Sequence, residues 1–251
     1  MRSLITDFHS GDIRLLHSFS VTNIGESSGV FFGDDILFAV CNQKTVAKYS
    51  DVGILLSQLQ LQEIPTDIDV LDKPNVVVSS YQGEVYIING INMTLLRALP
   101  LPNISVYGLC YYGNNQIIVG SSNTLTWVNI TSGAKLMSVS TLGDSFYVSS
   151  SGNKDYIYGD GVNSMSCVVD GTKKFTYTNT GLNYPRGIGI DYCGNFYIAG
   201  YDSHNIHQIT NDGRLVRIIP AASLGITSPR TIRFKQISNR FIVTCYYTVK
   251  A

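Results

Sequence analysis

The feature of this chain that most constrains its fold is a pattern that recurs along it. Between Pro185 and Gly200, apolar residues alternate with small and polar ones on either side of a Gly-Asn pair. The same pattern begins again at Pro65 and at Pro229. A unit that recurs at a spacing of about forty residues is typical of solenoids, propellers and arrays. The chain is therefore expected to be a repeat protein.

Each unit predicts two β-hairpins. Apolar residues alternate at Ile188, Ile190, Phe196 and Ile198, which is the period of a half-buried strand, and the Gly-Asn pair between them marks a tight turn. A second hairpin follows, with its clearest copy at 206–219 around an Asp-Gly turn. Six positions are equivalent in this scheme and mark six units: Val30, Ile68, Leu109, Phe146, Ile188 and Ile232.

The two ends of the chain indicate how the units are arranged. The sixth unit has a first hairpin at 231–244 but no second hairpin after it, whereas residues 3–19 form a second hairpin that no first hairpin precedes. A linear array gives no reason to divide a unit in this way. A closed ring does, because a shared blade joins the ends and leaves only short edges. We therefore predict an all-β, six-bladed β-propeller that takes up residues 1–251 as a single domain.

Composition limits the setting and the chemistry. Lys plus Arg and Asp plus Glu number 18 each, so the chain is formally neutral. It contains no apolar run of about 18 residues, which predicts that nothing spans a membrane, and its first residues lack the apolar segment of a secretory signal. The five cysteines share no metal-ligand spacing and are interpreted as isolated buried thiols in a reducing compartment. These features favour a cytoplasmic protein without a metal or other cofactor.

The unit that opens at Pro185 carries a motif. It reads Pro185-Arg186-Gly187-Ile188, then Asp191, Gly194-Asn195, Asp202-Ser203-His204-Asn205-Ile206 and a closing Asp212-Gly213. This motif resembles the NHL repeat, and the units that open at Pro65 and Pro229 follow it well. The resemblance implies a six-bladed propeller, in agreement with the count of units. WD40 repeats fit less well, because the chain has one tryptophan, Trp127, and no Gly-His and Trp-Asp pair.

Propellers of this kind are similar to the C-terminal domains of tripartite-motif (TRIM) ubiquitin ligases. In that case the RING and the coiled coil lie outside this chain, and the propeller is a non-catalytic module that recognises the protein substrate. Members of the NHL family use the top surface of the propeller in two ways, to bind protein partners and to bind single-stranded RNA. The resemblance therefore implies a protein or peptide ligand, with single-stranded RNA as the alternative.

The loops that lead into the first strands, and those that join second to third strands, are expected on one face around the central channel, the top face. Aligned on Arg186, the first set of loops gives Ser28, Thr66, Tyr107, Asp144, Arg186 and Arg230. Aligned on Tyr201, the second set gives Cys41, Tyr81, Ser121, Asp160, Tyr201 and Cys245, with Tyr246 one place later.

Tyrosine and arginine are enriched at the centres of protein interfaces, and both gather on this face. The predicted binding residues are Tyr81, Tyr107, Arg186, Tyr201, Arg230 and Tyr246. The alternative is that the tyrosines only pack between blades, with their hydroxyl groups in water.

RNA binding has one argument for it and one against. Aromatic side chains beside arginines suit unstacked bases. Phosphate contacts dominate the affinity for RNA, however, and a neutral domain with Asp144, Asp160 and Asp202 near its arginines starts at a disadvantage. The sequence therefore favours a protein partner.

A metal-dependent hydrolase or lyase is a further alternative. Some six-bladed relatives, such as gluconolactonase-like hydrolases and the peptidyl-amidating lyase, hold a divalent metal in the channel. The acidic channel-side candidates are Asp67, Asp144 and Asp160, but these are scattered among Ser, Thr, Tyr and Arg, whereas a metal needs converging oxygen ligands. His204 and His207 are three residues apart on a predicted strand and point to opposite faces, so they cannot share an ion. We therefore predict that the domain is not an enzyme.

Overall fold

The computed structural model describes residues 2–9, 12–21, 26–143, 146–152 and 154–246, and for residues 2–9, 12, 14, 15 and 246 it describes the backbone alone. Apart from a short 3-10 helix at Ala221–Leu224, the regular structure of these residues consists of β-strands. In chain order the strands are β1 (Arg2–His9), β2 (Asp12–Ser20), β3 (Ser27–Phe32), β4 (Asp35–Val40), β5 (Thr45–Ser50), β6 (Leu55–Gln60), β7 (Pro65–Val70), β8 (Asn75–Ser80), β9 (Glu84–Asn89), β10 (Thr94–Pro100), β11 (Gly108–Gly113), β12 (Gln116–Gly120), β13 (Thr124–Asn129), β14 (Lys135–Ser140), β15 (Val148–Ser150), β16 (Asp155–Gly159), β17 (Ser164–Val169), β18 (Thr172–Thr178), β19 (Pro185–Ile190), β20 (Phe196–Gly200), β21 (Asn205–Ile209), β22 (Leu215–Pro220), β23 (Thr227–Phe234) and β24 (Phe241–Tyr246).

These strands form six antiparallel sheets of four strands each within the described part of the chain. Five sheets take consecutive strands: sheet 1 is β3–β6, sheet 2 is β7–β10, sheet 3 is β11–β14, sheet 4 is β15–β18 and sheet 5 is β19–β22. Sheet 6 has the strand order β2-β1-β24-β23. The first strands contact one another in a cycle, β3 with β7, β7 with β11, β11 with β15, β15 with β19, β19 with β23 and β23 with β3. The protein is therefore an all-β propeller of four-stranded blades.

Sheet 6 joins the two ends of the described chain. Ser3 pairs with Thr244 and Thr6 with Phe241, so β1 lies antiparallel to β24. The predicted pairing of residues 3–19 with the hairpin at 231–244 is present. It gives both β1 and β24 a neighbour on each side, which removes two edges that other chains could pair with.

Burial falls from the second strand of a sheet to the fourth. Strands β4, β8 and β20 are almost entirely buried, whereas the outer strands β6 and β10 are mostly exposed. The core lies between facing sheets, because each sheet is covered on both faces near the channel. The side chain of Trp127, for example, packs edge-on against Tyr156 of the next sheet, with ring centres 5.1 Å apart.

One glycine of the sequence motif is required by the packing of sheets 5 and 6. A Cβ at Gly187 would lie 2.3 Å from Thr231 Cα and 2.5 Å from the carbonyl oxygen of Arg230. Such distances are far inside van der Waals contact with backbone atoms that cannot rotate away. Gly187 therefore lets β19 and β23 approach closely, and this brings Arg186 and Arg230 side by side at the top of the channel.

The register of sheet 4 differs from the prediction. The first strand was expected at Phe146–Val148, with Phe146 equivalent to Ile188, but β15 begins at Val148 and Val148 pairs with Tyr158 as Ile188 pairs with Ile198. The apolar character of Phe146 suggested a core position. In the structure Tyr147 and Val148 are buried, and Phe146 is half-buried ahead of the strand.

Candidate functional site

The top face gathers side chains from all six sheets around one end of the channel: Glu26, Tyr81, Tyr107, Phe146, Arg186 and Arg230. Two of these were not among the predicted site residues. Phe146 takes the ring position assigned to Asp144, because of the two-residue offset in sheet 4. Asp144 itself lies outside the described residues. Glu26 leads into β3 and was missed by the sequence analysis.

A cluster of two arginines and one glutamate occupies one side of this ring, and we call it the arginine cluster. Arg186 Nη1 lies 3.2 Å from Glu26 Oε1, and Arg230 Nη1 pairs with the other carboxylate oxygen of Glu26. Glu26 therefore bridges two arginines that come from different sheets. Arg230 is only 5% exposed, whereas Arg186 and Glu26 are half-buried.

Arg186 is also held by aromatic rings. Its guanidinium carbon lies 3.7 Å from the centre of the Tyr201 ring and 5.5 Å from that of Tyr184. The loops are joined there by a backbone hydrogen bond from the Tyr201 N–H to the Tyr184 carbonyl. Tyr184 has a φ of 53°, an outlier for a bulky residue, at the point where the chain turns into β19. The predicted residues Arg186 and Tyr201 thus form one stacked unit.

A second group of aromatic residues, the aromatic cluster, occupies the other side of the ring. Tyr81 and Tyr107 meet edge to face with ring centres 5.4 Å apart, and Tyr107 and Phe146 lie 4.3 Å apart. Tyr81 is 47% exposed, and the other two rings are half-buried. Part of this apolar surface therefore faces solvent at the rim of the channel.

Tyr147 connects the two clusters. It follows Phe146 directly, is buried, and lies within electrostatic reach of Arg230 and Arg186. Burial raises the pKa of the Tyr147 hydroxyl, although the two arginines act in the opposite direction. For Arg230, burial disfavours the charged form, but the acidic groups of Cys41, Tyr147 and Glu26 outweigh it and raise the pKa of the guanidinium. Arg230 therefore stays charged.

The last predicted site residue, Tyr246, is placed by its backbone alone. Cys245 pairs with Pro229 as Gly200 pairs with Pro185, so Tyr246 holds the register position of Tyr201, and Cys245 does not. The assignment of Cys245 to this position was wrong by one residue, because the turn between β23 and β24 is one residue longer: six residues separate the paired Phe234 and Phe241, whereas five separate the paired Ile190 and Phe196. The side chain of Tyr246 lies outside the described part.

Below the arginine cluster, charged side chains cross the channel. Asp67, which is 0% exposed, accepts hydrogen bonds from Ser28 Oγ and from the Leu109 N–H at 3.1 Å. Arg233 Nη2 lies 3.4 Å from its second oxygen, and Arg233 Nη1 donates to the carbonyl of Ile188 at 3.1 Å. The Asp67 and Arg233 side chains thus satisfy backbone groups of β11 and β19 on the inner edges of their sheets, where no neighbouring strand is available. The channel-side position predicted for Asp67 is thus filled by a structural contact.

The opposite end of the channel opens into a cavity of about 510 Å³ between the turns that join first and second strands. Asp69, Tyr111, Ser149, Arg233 and Phe234 are among its lining residues. Burial raises the pKa of the Asp69 carboxyl, against the effect of Arg233. One of its oxygens accepts a hydrogen bond from the Tyr111 N–H at 2.8 Å. Asp67 accepts the equivalent bond from Leu109, two residues earlier on β11. Since the cavity mouth is on the bottom face, it is separate from the predicted site.

Among the described residues, the acidic side chains do not converge on a metal position. Asp160 is buried, but it binds Ser166 Oγ at 2.6 Å and Lys173 at 3.3 Å, in the outer half of its own sheet and not at the channel. The structure describes no group of three His, Cys, Asp or Glu side chains that could hold a metal ion. The two histidines have separate partners: His204 bonds to Ser228, and buried His207 bonds to Tyr177 at 2.7 Å.

The five cysteines are free, as predicted. Cys110, Cys167 and Cys245 are buried and Cys41 is half-buried, but Cys193 is exposed in the turn between β19 and β20. The expectation that all five are buried is wrong at Cys193, because that turn lies on the bottom surface.

Many solved structures share the fold of this chain. One is the β-propeller domain of Cps50 (Swd1) from Myceliophteria thermophila, with a TM-score of 0.65 and 9% identical residues over 91% of this chain and 86% of that one. At this identity the likeness shows the fold alone. No protein-family model and no curated protein matches the chain, so the NHL resemblance remains a hypothesis. Within the described residues, no helix has the length and hydrophobicity of a transmembrane span.

Proposed function

We propose that this protein is a non-catalytic binding propeller whose top face recognises a protein or peptide partner. The fold is typical of protein-binding scaffolds, and the top face supplies the chemistry of an interface. The observation that carries the proposal is the Arg186 guanidinium stacked at 3.7 Å on Tyr201, beside an open aromatic cluster headed by Tyr81. Rigid aromatic rings and a pre-oriented arginine lose little conformational freedom on binding, and such residues are frequent hot spots.

The finer identity that we propose is the NHL-like module, with six blades in one closed domain, of a TRIM-type ubiquitin ligase in the cytoplasm. The motif at Pro185–Ile188 and the cycle of six first strands support it. In this proposal Tyr81, Tyr107, Arg186, Tyr201 and Arg230 contact the substrate, and Tyr246 completes the ring. A full-length transcript with a RING and a B-box upstream of this chain would support the ligase assignment, and one that lacks them would oppose it.

Charge favours a protein over single-stranded RNA. Arg186 and Arg230 share Glu26, and Lys44, on the same face, lies 3.8 Å from Glu63. The arginine cluster therefore keeps one net positive charge. The affinity for RNA depends largely on several phosphates neutralised by Lys or Arg. One net charge beside tyrosines suits a protein surface better than a phosphate backbone.

The experiment is affinity capture with matched double variants, followed by purification of the captured partner. R186A/Y201A removes one arginine and one tyrosine from the top face, and R240A/Y192A removes the same pair of residue types from the bottom-face turns. We expect the top-face variant to lose the partner and the bottom-face variant to keep it, with circular dichroism showing that both remain folded. Hot-spot truncations cost about 2 kcal/mol or more each, enough together to lose a micromolar complex.

Two results would overturn the proposal. If both variants retain the partner, or only R240A/Y192A loses it, the top face is not the binding surface. If instead a random single-stranded RNA pool binds tightly, with an affinity that falls steeply with salt and is lost in R186A/Y201A, the ligand is RNA.

A further inference from the structure

We infer that an acidic side chain of the protein partner takes the place of Glu26 between Arg186 and Arg230, so that Glu26 is an internal stand-in for the partner's carboxylate. The inference rests on the proposed function, because it names the chemistry that the top face selects. Its basis is that some N–H donors of the arginine cluster have no hydrogen-bond partner among the described residues.

Each arginine of the cluster has an unused donor. The Nε atoms of Arg186 and Arg230 are buried, and neither has a hydrogen-bond partner among the described residues. Buried polar groups in folded proteins nearly always have a partner, so two such donors in adjacent arginines call for an explanation. An acceptor supplied from outside the chain would provide one.

Glu26 makes only one hydrogen bond to each of the two guanidinium groups. Each of its oxygens contacts one Nη1 atom, so the carboxylate bridges two guanidinium groups and grips neither with two parallel bonds. Two parallel N–H···O bonds to one carboxylate are the strong form of this contact. A carboxylate that enters from above, free of the backbone restraints on Glu26, can align with one guanidinium edge and replace a weaker contact by a stronger one.

The surroundings favour a single carboxylate as the ligand. The nearest buried acid, Asp67, is already bonded to Ser28, Leu109 and Arg233. Glu26 is about one-third exposed, so it can turn out to solvent. The Arg186 guanidinium carbon lies 3.7 Å from the centre of the Tyr201 ring, and this contact does not depend on which carboxylate is bound. Exposed Asp202 follows Tyr201 and adds a negative charge near the site, which disfavours a ligand with several negative charges.

The test uses a phage-displayed random dodecapeptide library, selected on the wild-type protein. We expect the selected peptides to be enriched in Asp or Glu, and replacing that residue by Gln or Asn to weaken binding about tenfold or more, as loss of a buried charge-assisted pair does. Glu26→Gln removes the internal competitor and should raise the affinity several-fold. Arg186→Gln should lower it, and the peptide's acid-to-amide change should then have no further effect.

The control is Arg240→Gln, an arginine on the bottom face that also pairs with one acid, Asp51. It should leave peptide affinity unchanged. If Arg186→Gln does not fold, Arg186→Lys takes its place, because it keeps the charge but loses the planar guanidinium. If Glu26→Gln does not fold, Glu26→Asp takes its place, because its shorter side chain weakens the internal competitor. Thermal melting checks the fold of every variant.

Three outcomes overturn the inference, and they separate it from the proposed function. If Glu26→Gln weakens binding as much as Arg186→Gln, Glu26 only supports the arginines. If the selected peptides bind the top face, as shown by loss in Tyr81→Ala, but contain no excess of acidic residues, the proposed function stands and this inference fails. If no peptide binds the top face, both fail.

Discussion

Removing the charge of Asp67 should destabilise the fold more than any exposed acid can. In Asp67→Asn, an N–H₂ group replaces the oxygen that accepts the Leu109 N–H and faces Arg233. The new amide group then opposes two donors, and the Arg233 guanidinium, whose side chain is 10% exposed, loses its carboxylate partner. The variant tests whether the ion pair between Asp67 and Arg233 in the channel stabilises the closed ring.

The expected magnitude follows from burial. Removing one partner of a buried ion pair typically costs about 3–5 kcal/mol, because the remaining charge is left uncompensated. That is a large part of a total stability of about 5–15 kcal/mol. With a urea dependence of about 3 kcal/mol per molar, the midpoint of unfolding should fall by about 1–1.7 M.

The assay is urea unfolding followed by the fluorescence of Trp127, the single tryptophan, which is buried between sheets 3 and 4. Asp212→Asn is the matched control, since Asp212 pairs with Arg214 at 3.0 Å on the surface, and its midpoint should not change. The double variant D67N/R233M removes both charges and should be less destabilised than the sum of its single changes by about 1 kcal/mol or more. A midpoint shift for Asp67→Asn no larger than that of Asp212→Asn, or simple additivity in the double variant, would refute this account of the channel.

Two further predictions concern sheet 6 and His207. Deleting residues 1–20 removes β1 and β2 and leaves the edge of β24 open, so size-exclusion chromatography should show aggregation; a monomer that melts like the parent would contradict the predicted closure. Burial lowers the pKa of His207 below its usual 6.5, so the unfolded chain binds this proton more readily than the folded one, and stability should fall as pH drops below about 6.5. His207→Gln should flatten that fall in urea midpoints between pH 8 and 5; a slope equal to that of the wild-type protein would contradict the assignment.

The sequence predicts the fold well because its signal is repeated. The alternation around Ile188 and Phe196 recurs in other units, so an error in one unit does not change the type of fold. The errors lie in register. Phe146 was assigned to a core position because it is apolar, and Cys245 to the Tyr201 position because the extra residue in the turn between β23 and β24 is invisible in residue spacing. One extra residue in a turn changes the count without changing the composition.

Glu26 illustrates what repeat spacing cannot supply alone. Its partners Arg186 and Arg230 lie 160 and 204 residues away in sequence, and only closure of the ring brings them together. A signal was nevertheless present, since Glu26 holds the position of Tyr184: the Cys41 N–H bonds to the Glu26 carbonyl as the Tyr201 N–H bonds to that of Tyr184. Extending the ring alignment by two residues would have placed Glu26 beside the arginines.

The composition of sheet 6 has a consequence for how the protein is made. Sheets 1 to 5 are each built from consecutive strands, so each can form as soon as its own residues leave the ribosome. Among the strands of the propeller the β1–β2 hairpin is synthesised first, yet its partner β24 follows about 240 residues later, which takes about 12–48 s at roughly 5–20 residues per second. Throughout that interval the nascent chain carries an unpaired β1 edge and an unclosed row of blades. Its exposure to chaperones, and to other nascent chains on the same message, is therefore set by translation speed.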